Sequence, residues 1–268
     1  MQATVDIDTS VGGEKAGTIT DYTEIRGYVL ARKPSMLRMI GLLPVVRNKA
    51  FDMVSDGDSF RLWIPPRNKF VTGKNSISEK PQAVNAAAIA AETAESAQAA
   101  KLENLRPQHI YDALLIRGID PVNEIAALDM GTEKIPDPKG HRIAEQPDYE
   151  VLILRQGLQG WYLSRKIIFS RTDLQPHRQI IYDEKGAVVT DVAYEKFAPE
   201  GGLMFPRQIN IWRPKEEYRV VLNILKLQLN LPLADQQFQL DQPAGAVVVG
   251  LDPTASRKVK TKTERGGV

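Results

Sequence analysis

The chain contains no cysteine. That absence excludes disulfides, thiolate nucleophiles and zinc-thiolate centres. Histidine is scarce: His109, His141 and His177 are the only three. They fall at a helix start, in a loop and at a strand start, none at a metal-ligand or nucleophile spacing from a partner, so each is expected as a polar surface side chain. No run of about 18 apolar residues occurs, so no segment reads as a membrane-spanning helix. Gly-x-Ser-x-Gly, phosphate loops, dinucleotide fingerprints and His-Glu-x-x-His are missing too. Asp183-Glu184-Lys185-Gly186 is too short for a calcium loop and reads as a turn. Carboxylates distant in sequence can still meet in space, but these absences together point away from an enzyme and leave no cofactor or metal to expect. Aromatic residues make up only 7% of the chain. They meet basic residues in one place, RLWIPPRNKF, where Trp63 and Phe70 stand beside Arg61, Arg67 and Lys69. This reads as a hairpin with solvated charges rather than a stacking platform, and no nucleic-acid partner is expected.

What the sequence does have is an order of patterns. Short alternating strands come first, an alanine-rich helical stretch interrupts them between about 79 and 128, and strands return as far as Leu251. Hydrophobic residues are 43% of the 268, enough for a sizeable core. The formal charge of +2 is unevenly spread, with Arg257, Lys258, Lys260, Lys262 and Arg265 against Glu264 at the C-terminal end. With no apolar residues to bury, 253–268 is expected to be a disordered basic tail, and 1–252 a single domain. The opening MQATVDIDTS runs straight into a strand pattern, which suggests a mature, exported form whose gene encodes a signal segment upstream.

Strands are read from alternation. Ile25, Gly27, Val29 and Ala31 line one face of a strand that ends near Pro34, with Glu24, Arg26 and Arg32 opposite. Asp56-Gly57, between FDMVS and SFRLWI, supplies the positive φ of a tight hairpin. Later runs flank Gly157 to Gly160, Asp183 to Gly186 and Gly201-Gly202. In YRVVLNILKLQLNL the apolar parity switches from Tyr218, Val220, Leu222 and Ile224 to Leu225, Leu227 and Leu229, as a bulge would require. The count is about eleven antiparallel strands, too many for a flat sheet and suited to one that curls.

The interruption differs in kind. Ala83, Ala87, Ala90, Ala94 and Ala97 recur at helical spacing, and alanine forms helix well while releasing little free energy on burial. Such a helix docks weakly, as a movable cover would, or as an insertion without a role. Pro107 suits a first helical turn, followed by apolar Ile110, Tyr111, Leu114 and Leu115 and a stop at Gly118. Asp120-Pro121 looks like the start of another short helix through Leu128. In MIGLLPVV, Leu42, Leu43 and Pro44 sit where a turn should be polar, either tucked under another element or exposed to a membrane or apolar partner.

In order and phrasing these segments resemble the LolA/LolB-like periplasmic carriers of bacterial lipoproteins and their lipid-carrying relatives. The resemblance rests on YVLARKPSMLRM, on VSDGDSFRLWIPPRNKF, and on HRQIIYDEKGAVV, GLMFPRQINIWRP and NLPLADQQFQLDQPAGAVVVGLD in that order, over about 5–252. It implies a mainly β fold: an incomplete, half-open antiparallel β-barrel with a helical lid, whose apolar concavity shelters acyl chains of a lipoprotein or lipid. Lys33 takes the position before Pro34 where such carriers often place an arginine that latches lid to barrel; a point donor is a poorer latch than a fork. Leu42, Leu43 and Pro44 resemble the protruding loop of the membrane-anchored branch and imply contact with a membrane surface. The expected cavity residues are Ile25, Val29, Leu37, Met39, Phe51, Met53, Phe60 and Leu62 early, and Leu163, Ile167, Phe169, Ile180, Val220 and Leu222 late; in a small closed barrel the same residues would merely fill the core. The implied protein is a periplasmic or outer-membrane monomer that carries cargo without catalysis. A carrier of free lipid or glycolipid, and a regulatory protein-binding module, are the alternatives on the same fold.

Overall fold

The computed structural model describes residues 1–11, 20–21, 25–44, 47–75, 107–136, 143–215 and 217–251. The alanine-rich stretch before Pro107 and the basic tail expected at 253–268 lie outside the described residues. Among the described residues fifteen strands, numbered in chain order, are hydrogen-bonded in the order β15-β7-β6-β5-β4-β3-β1-β14-β13-β12-β11-β10-β9-β8, with β2 (Thr20–Asp21) beside β1. Among those residues the end strands β8 and β15 do not pair with each other, so the sheet is not closed into a barrel. It is mixed, since β15 (Val247–Gly250) runs parallel to β7 (Lys69–Lys74) whereas the other described ladders are antiparallel. The chain divides into two compact units, Met1–Ala31 with His109–Pro232, and Arg32–Gln108 with Leu233–Val268.

The first unit carries β1 (Gln2–Val11), β3 (Ile25–Arg32), α1 (Pro107–Leu114), β8 (Glu124–Pro136), β9 (Ile143–Gly157), β10 (Gly160–Ser170), β11 (Pro176–Tyr182), β12 (Val188–Glu200), β13 (Leu203–Arg213) and β14 (Tyr218–Gln228). Pairing register fixes which side chains share a face. Val29 and Ile25 sit level with Ala3 and Ile7, Ile7 with Leu222, Leu222 with Ile209, and Val220 with Ile211. Ile211 is level with Val192, Val192 with Gln179, Gln179 with Ile167, and Ile167 with Val151. This apolar face is packed over β1, β3, β13 and β14, where Ile7, Val29, Ile209, Ile211, Val220 and Leu222 are all buried. The register between β1 and β14 shifts at Thr4/Val5, which leaves Leu225 as the extra residue. That bulge lets Ile224 and Leu227 both turn inward while Leu225 is exposed, the parity switch visible in the sequence.

The segment from Glu124 is a strand, not the expected helix. Asp120 accepts hydrogen bonds from the Val122 amide and the Asn123 side chain, an Asx-type turn rather than a helix cap. The chain then pairs with β9 from Glu124 opposite Arg155 to Pro136 opposite Ile143. Helix-forming residues such as Ala126, Ala127 and Leu128 yield here to a long ladder with a preformed partner. With β2 and β15, β8 accounts for most of the surplus over the expected eleven strands.

The second unit holds β4 (Met36–Leu42), β5 (Lys49–Ser55), β6 (Ser59–Ile64), β7 and β15. Asp56-Gly57 forms the expected hairpin: Gly57 has φ 101°, and the Asp56 carboxylate accepts from the Asp58 and Ser59 amides and the Ser59 hydroxyl. Met39, Met53, Leu62 and Val71 are level with one another and almost fully buried. The ring of Phe51 lies against Gly41 and that of Phe60 against Gly73, so the glycines make room for cross-strand aromatics. On the reverse face, Val54, Phe70 and Leu240 form a cluster with Trp63 and Ala246. Three arginines hold the strap that supplies Leu240: Arg32 donates to the Leu233 carbonyl, Arg38 to that of Gln237 and Arg61 to that of Leu240. Arg32 also lies over the Phe238 ring at 5.1 Å. Arg38 spans the fully buried Asp52 carboxylate through two bonds, and Lys49 adds a third at 2.8 Å.

Candidate functional site

The apolar face of the first unit is crossed by α1, and two of its buried polar side chains, Arg165 and Gln179, reach that helix or the segment after it. Helix α1 starts at Pro107, whose missing amide proton costs nothing in a first turn, and buries Ile110, Tyr111, Ala113 and Leu114. Burial, with Asp112 nearby, pushes the Tyr111 hydroxyl up to about 12. Eight residues make only about two turns, too few for an isolated helix to persist in water, so tertiary anchors hold it.

Those anchors rise from the sheet. Gln179 Nε2 donates to the Asp112 carbonyl at 3.1 Å. Arg165 donates to the carbonyls of Arg117 at 2.8 Å and Gly118 at 3.1 Å, groups just past the helix end, and to Glu124 Oε2 at 3.0 Å. Glu124 also accepts from Arg117 at 3.1 Å and from the Asp120 amide at 3.0 Å. The Arg165 and Glu124 side chains are only 4% and 1% exposed. Burial, then the neighbouring Arg117 charge, pulls the Arg165 guanidinium below its ordinary pKa, and Glu124 counters both. One buried fork thus ties the segment after α1 to β10 and to the first residue of β8.

Arg165 and Glu124 are the side chains that tie the segment after α1 to the sheet, whereas most of the lid that Lys33 was expected to latch lies outside the described residues. Lys33 is exposed in the turn between β3 and β4. Sequence reasoning missed Arg165 because it sits in the apolar run WYLSRKIIFS, where alternation suggests that Arg165 and Ile167 share a face without saying which. An arginine in phase with Ile167 was the available signal.

The expected cavity residues divide cleanly. Ile25, Val29, Ile167, Phe169, Val220 and Leu222 share the apolar face of the first unit. Leu37, Met39, Phe51, Met53, Phe60 and Leu62 share one face of the second and are at most 2% exposed. Leu163 and Ile180 lie on the reverse face. The β9–β10 register shifts between Leu163 and Arg165, setting Leu163 opposite Leu154 and Arg165 opposite Ile153, so Ser164 inverts the parity counted from sequence. On β11, Ile180 is level with Lys166 and Asp191, and Gln179 takes the place on the apolar face. Two hollows of about 440 and 540 Å³ occur in the first unit, neither lined by any of these residues.

Among the described residues, the far end of the first unit's apolar face has no cover. Leu128 and Met130 on β8 continue it beyond Val151, Tyr149 and Phe169, and they are 69% and 71% exposed. At the tip of β4, Leu42 and Leu43 are half-buried and Pro44 is exposed, with Leu43 closing a turn through bonds to Asn48 and Arg47. Val45 and Val46 lie outside the described residues. Two histidines depart from the surface positions expected of them: His109 is buried in α1, and His177 contacts Asp148 and Glu133. His141 lies outside the described residues.

No protein-family model and no curated protein matches this chain. Among solved structures it is similar to a LolA superfamily protein from Nitrosomonas europaea, with 14% identity, 89% of this chain and 90% of that one covered, and a TM-score of 0.51. A DUF1329 family protein from Desulfovibrio piger aligns over 89% of each chain at 15% identity, with a TM-score of 0.49. The first likeness shows that the fold is LolA-like, as the ordered sequence segments imply.

Proposed function

We propose that this protein is a non-enzymatic carrier that shelters acyl chains of lipoproteins or free lipids at the bacterial envelope. The observation that carries the reading is the apolar face of the first unit. It runs across the strands of that unit, is covered by a short helix held chiefly by one polar latch, and ends, among the described residues, in the exposed Leu128 and Met130. A core built only for stability has no reason to leave large apolar residues in solvent on the end strand of a sheet. An acyl chain seated there gains roughly 0.8 kcal/mol per methylene without needing specific hydrogen bonds. On this reading cargo first touches the open end and then displaces α1 from Ile167, Val192 and their neighbours. Periplasmic residence, and a membrane touch through Leu42, Leu43 and Pro44, belong to the same proposal.

The cysteine-free chain makes the test direct. A single Leu128→Cys variant carrying an environment-sensitive dye should shift to the blue on addition of a diacylated lipopeptide or a free fatty acid. Native mass spectrometry of the unlabelled protein should find an acyl species bound. Preference for the lipopeptide identifies lipoprotein cargo, and preference for the free acid identifies lipid cargo. No shift with either, and no bound acyl species, overturns the carrier reading.

A further inference from the structure

Beneath α1, the apolar face of the first unit holds three polar atoms that no other group answers. Among the described residues, Arg165 Nε, Gln179 Oε1 and the Tyr194 hydroxyl are buried without a hydrogen-bond partner. None of the three residues is more than 4% exposed. Folded proteins keep few such atoms, because each loses its water and gains nothing in return, so three on one face call for a reason.

Pairing register sets them on one line. Gln179 on β11 is level with Ile167 on β10 and with Val192 on β12. Arg165 is two residues from Ile167, and Tyr194 two from Val192 on the other side of that row. Gln179 is therefore a diagonal neighbour of both, at about 7–8 Å. Tyr194 is also level with Ile209, which is fully buried on the same face. The helix lies over this line. Gln179 donates to the Asp112 carbonyl through Nε2, which identifies the unanswered end of its amide as the oxygen. Burial first, and then the Asp112 charge, pushes the Tyr194 hydroxyl above its ordinary pKa, so it keeps its proton and can donate.

The two unanswered atoms on β11 and β12 are thus of opposite kind. Gln179 offers an acceptor and Tyr194 a donor. Hydrocarbon answers neither. An ester answers only the donor, because it has no N–H, whereas a secondary amide carries an N–H and a carbonyl oxygen pointing opposite ways and can answer both.

We propose that Gln179 and Tyr194 form a recognition site for an amide-linked acyl chain: once α1 has lifted, the amide N–H donates to Gln179 Oε1 and the carbonyl oxygen accepts from the Tyr194 hydroxyl. The site rests on the carrier reading and adds to it a choice of linkage, N-acyl over O-acyl.

N-ethyldodecanamide and ethyl dodecanoate differ only in an N–H in place of the ester oxygen, and they are compared as competitors of a fluorescent fatty acid on the full chain. The amide should bind the parent about tenfold more tightly, the effect of one net hydrogen bond. Gln179→Met should bring the ratio of the two affinities close to one. Tyr194→Phe should weaken both competitors about tenfold, since both carry the carbonyl, and should raise the melting temperature of the empty protein by about 2–4 °C, since an unanswered hydroxyl leaves the core. A side chain that only packs cannot produce weaker binding and a more stable empty protein together. The comparison on the parent decides even where Gln179→Met fails to fold. Equal affinity of the parent for amide and ester, or undiminished amide binding by Tyr194→Phe, overturns this site and leaves a carrier without a choice of linkage. If neither the competitors nor the fluorescent acid bind the parent, the carrier reading itself falls and the site with it.

Discussion

Weakening the Arg165–Glu124 latch should raise, not lower, the affinity for acyl chains. Glu124→Gln keeps the shape of the side chain and its bond from the Asp120 amide, but replaces the charged partner of Arg165 at 3.0 Å and of Arg117 at 3.1 Å by a neutral amide. A hydrogen bond to a charged group contributes about 1.5–3 kcal/mol, so the closed arrangement of α1 should lose at least about 1.5 kcal/mol. Since 1.4 kcal/mol is a factor of ten, the fraction of molecules with α1 displaced rises about tenfold, and apparent affinity for a fluorescent C16 probe rises with it. Exchange at the amides of 107–114 should quicken by the same factor, as measured by hydrogen exchange with mass spectrometry. Global stability, read by urea melts, falls as well, because the closed state is the one measured. The control is the pair Arg165→Met with Glu124→Leu, which removes both charges and should restore most of that stability. Tighter exchange protection with unchanged or weaker probe binding would refute the reasoning, since α1 would then be part of the binding surface and not its cover.

Two further changes test the fold and its electrostatics. Gly41→Ala places a methyl group against the Phe51 ring carbons, at a buried position of β4, and should cost about 1–3 kcal/mol in chemical denaturation; a cost near zero would mean that the ring can move aside. At Asp56 burial alone would raise the carboxyl, but bonds from the Ser59 amide and hydroxyl and the Asp58 amide outweigh it and hold the group below its ordinary 3.8. A depressed native pKa gives stability that is present above the unfolded value and lost as pH falls through the native one. Asp56→Asn should therefore flatten the decline in melting temperature below about pH 4 and lower the plateau at neutral pH; parallel curves for the two proteins would contradict this.

Much of the fold was legible because one buried face per strand imposes alternation, and turn chemistry punctuates it. Asp56-Gly57, the parity switch that becomes the Leu225 bulge, and the apolar runs of β4 to β6 all follow from local rules. Two kinds of feature escaped. The bulge at Ser164 inverts parity without any compositional mark, and the adjacent Ile180 and Ile181 leave the parity of β11 open, so Leu163 and Ile180 were assigned to the wrong face. Strand β8 is made of residues that favour helix, and only its long ladder with β9 decides otherwise. The latch was hidden for a related reason: Glu124 and Arg165 are 41 residues apart and meet only through that ladder.

The two polar side chains on the apolar face limit how a carrier built this way can work. Arg165 and Gln179 are 3% and 1% exposed, and their bonds run to backbone carbonyls of α1 and the segment after it, and to Glu124. Leaving a buried donor unsatisfied costs about 1–3 kcal/mol, more for a charged one. When α1 lifts, Arg165 and Gln179 must meet water or a polar part of the cargo, and hydrocarbon cannot lie directly over them. An acyl chain can settle only on the apolar stretches beside them, from Leu128 and Met130 through Val151 to Ile167, while its ester or amide linkage accepts from the freed donors. Under the proposed carrier function, the groups that hold α1 in place would be the ones that recognise the head of the cargo. A plain hydrocarbon with no carbonyl should accordingly bind far more weakly than an acyl ester of equal length, and equal binding of the two would show that α1 keeps its bonds to Arg165 and Gln179 when cargo is present.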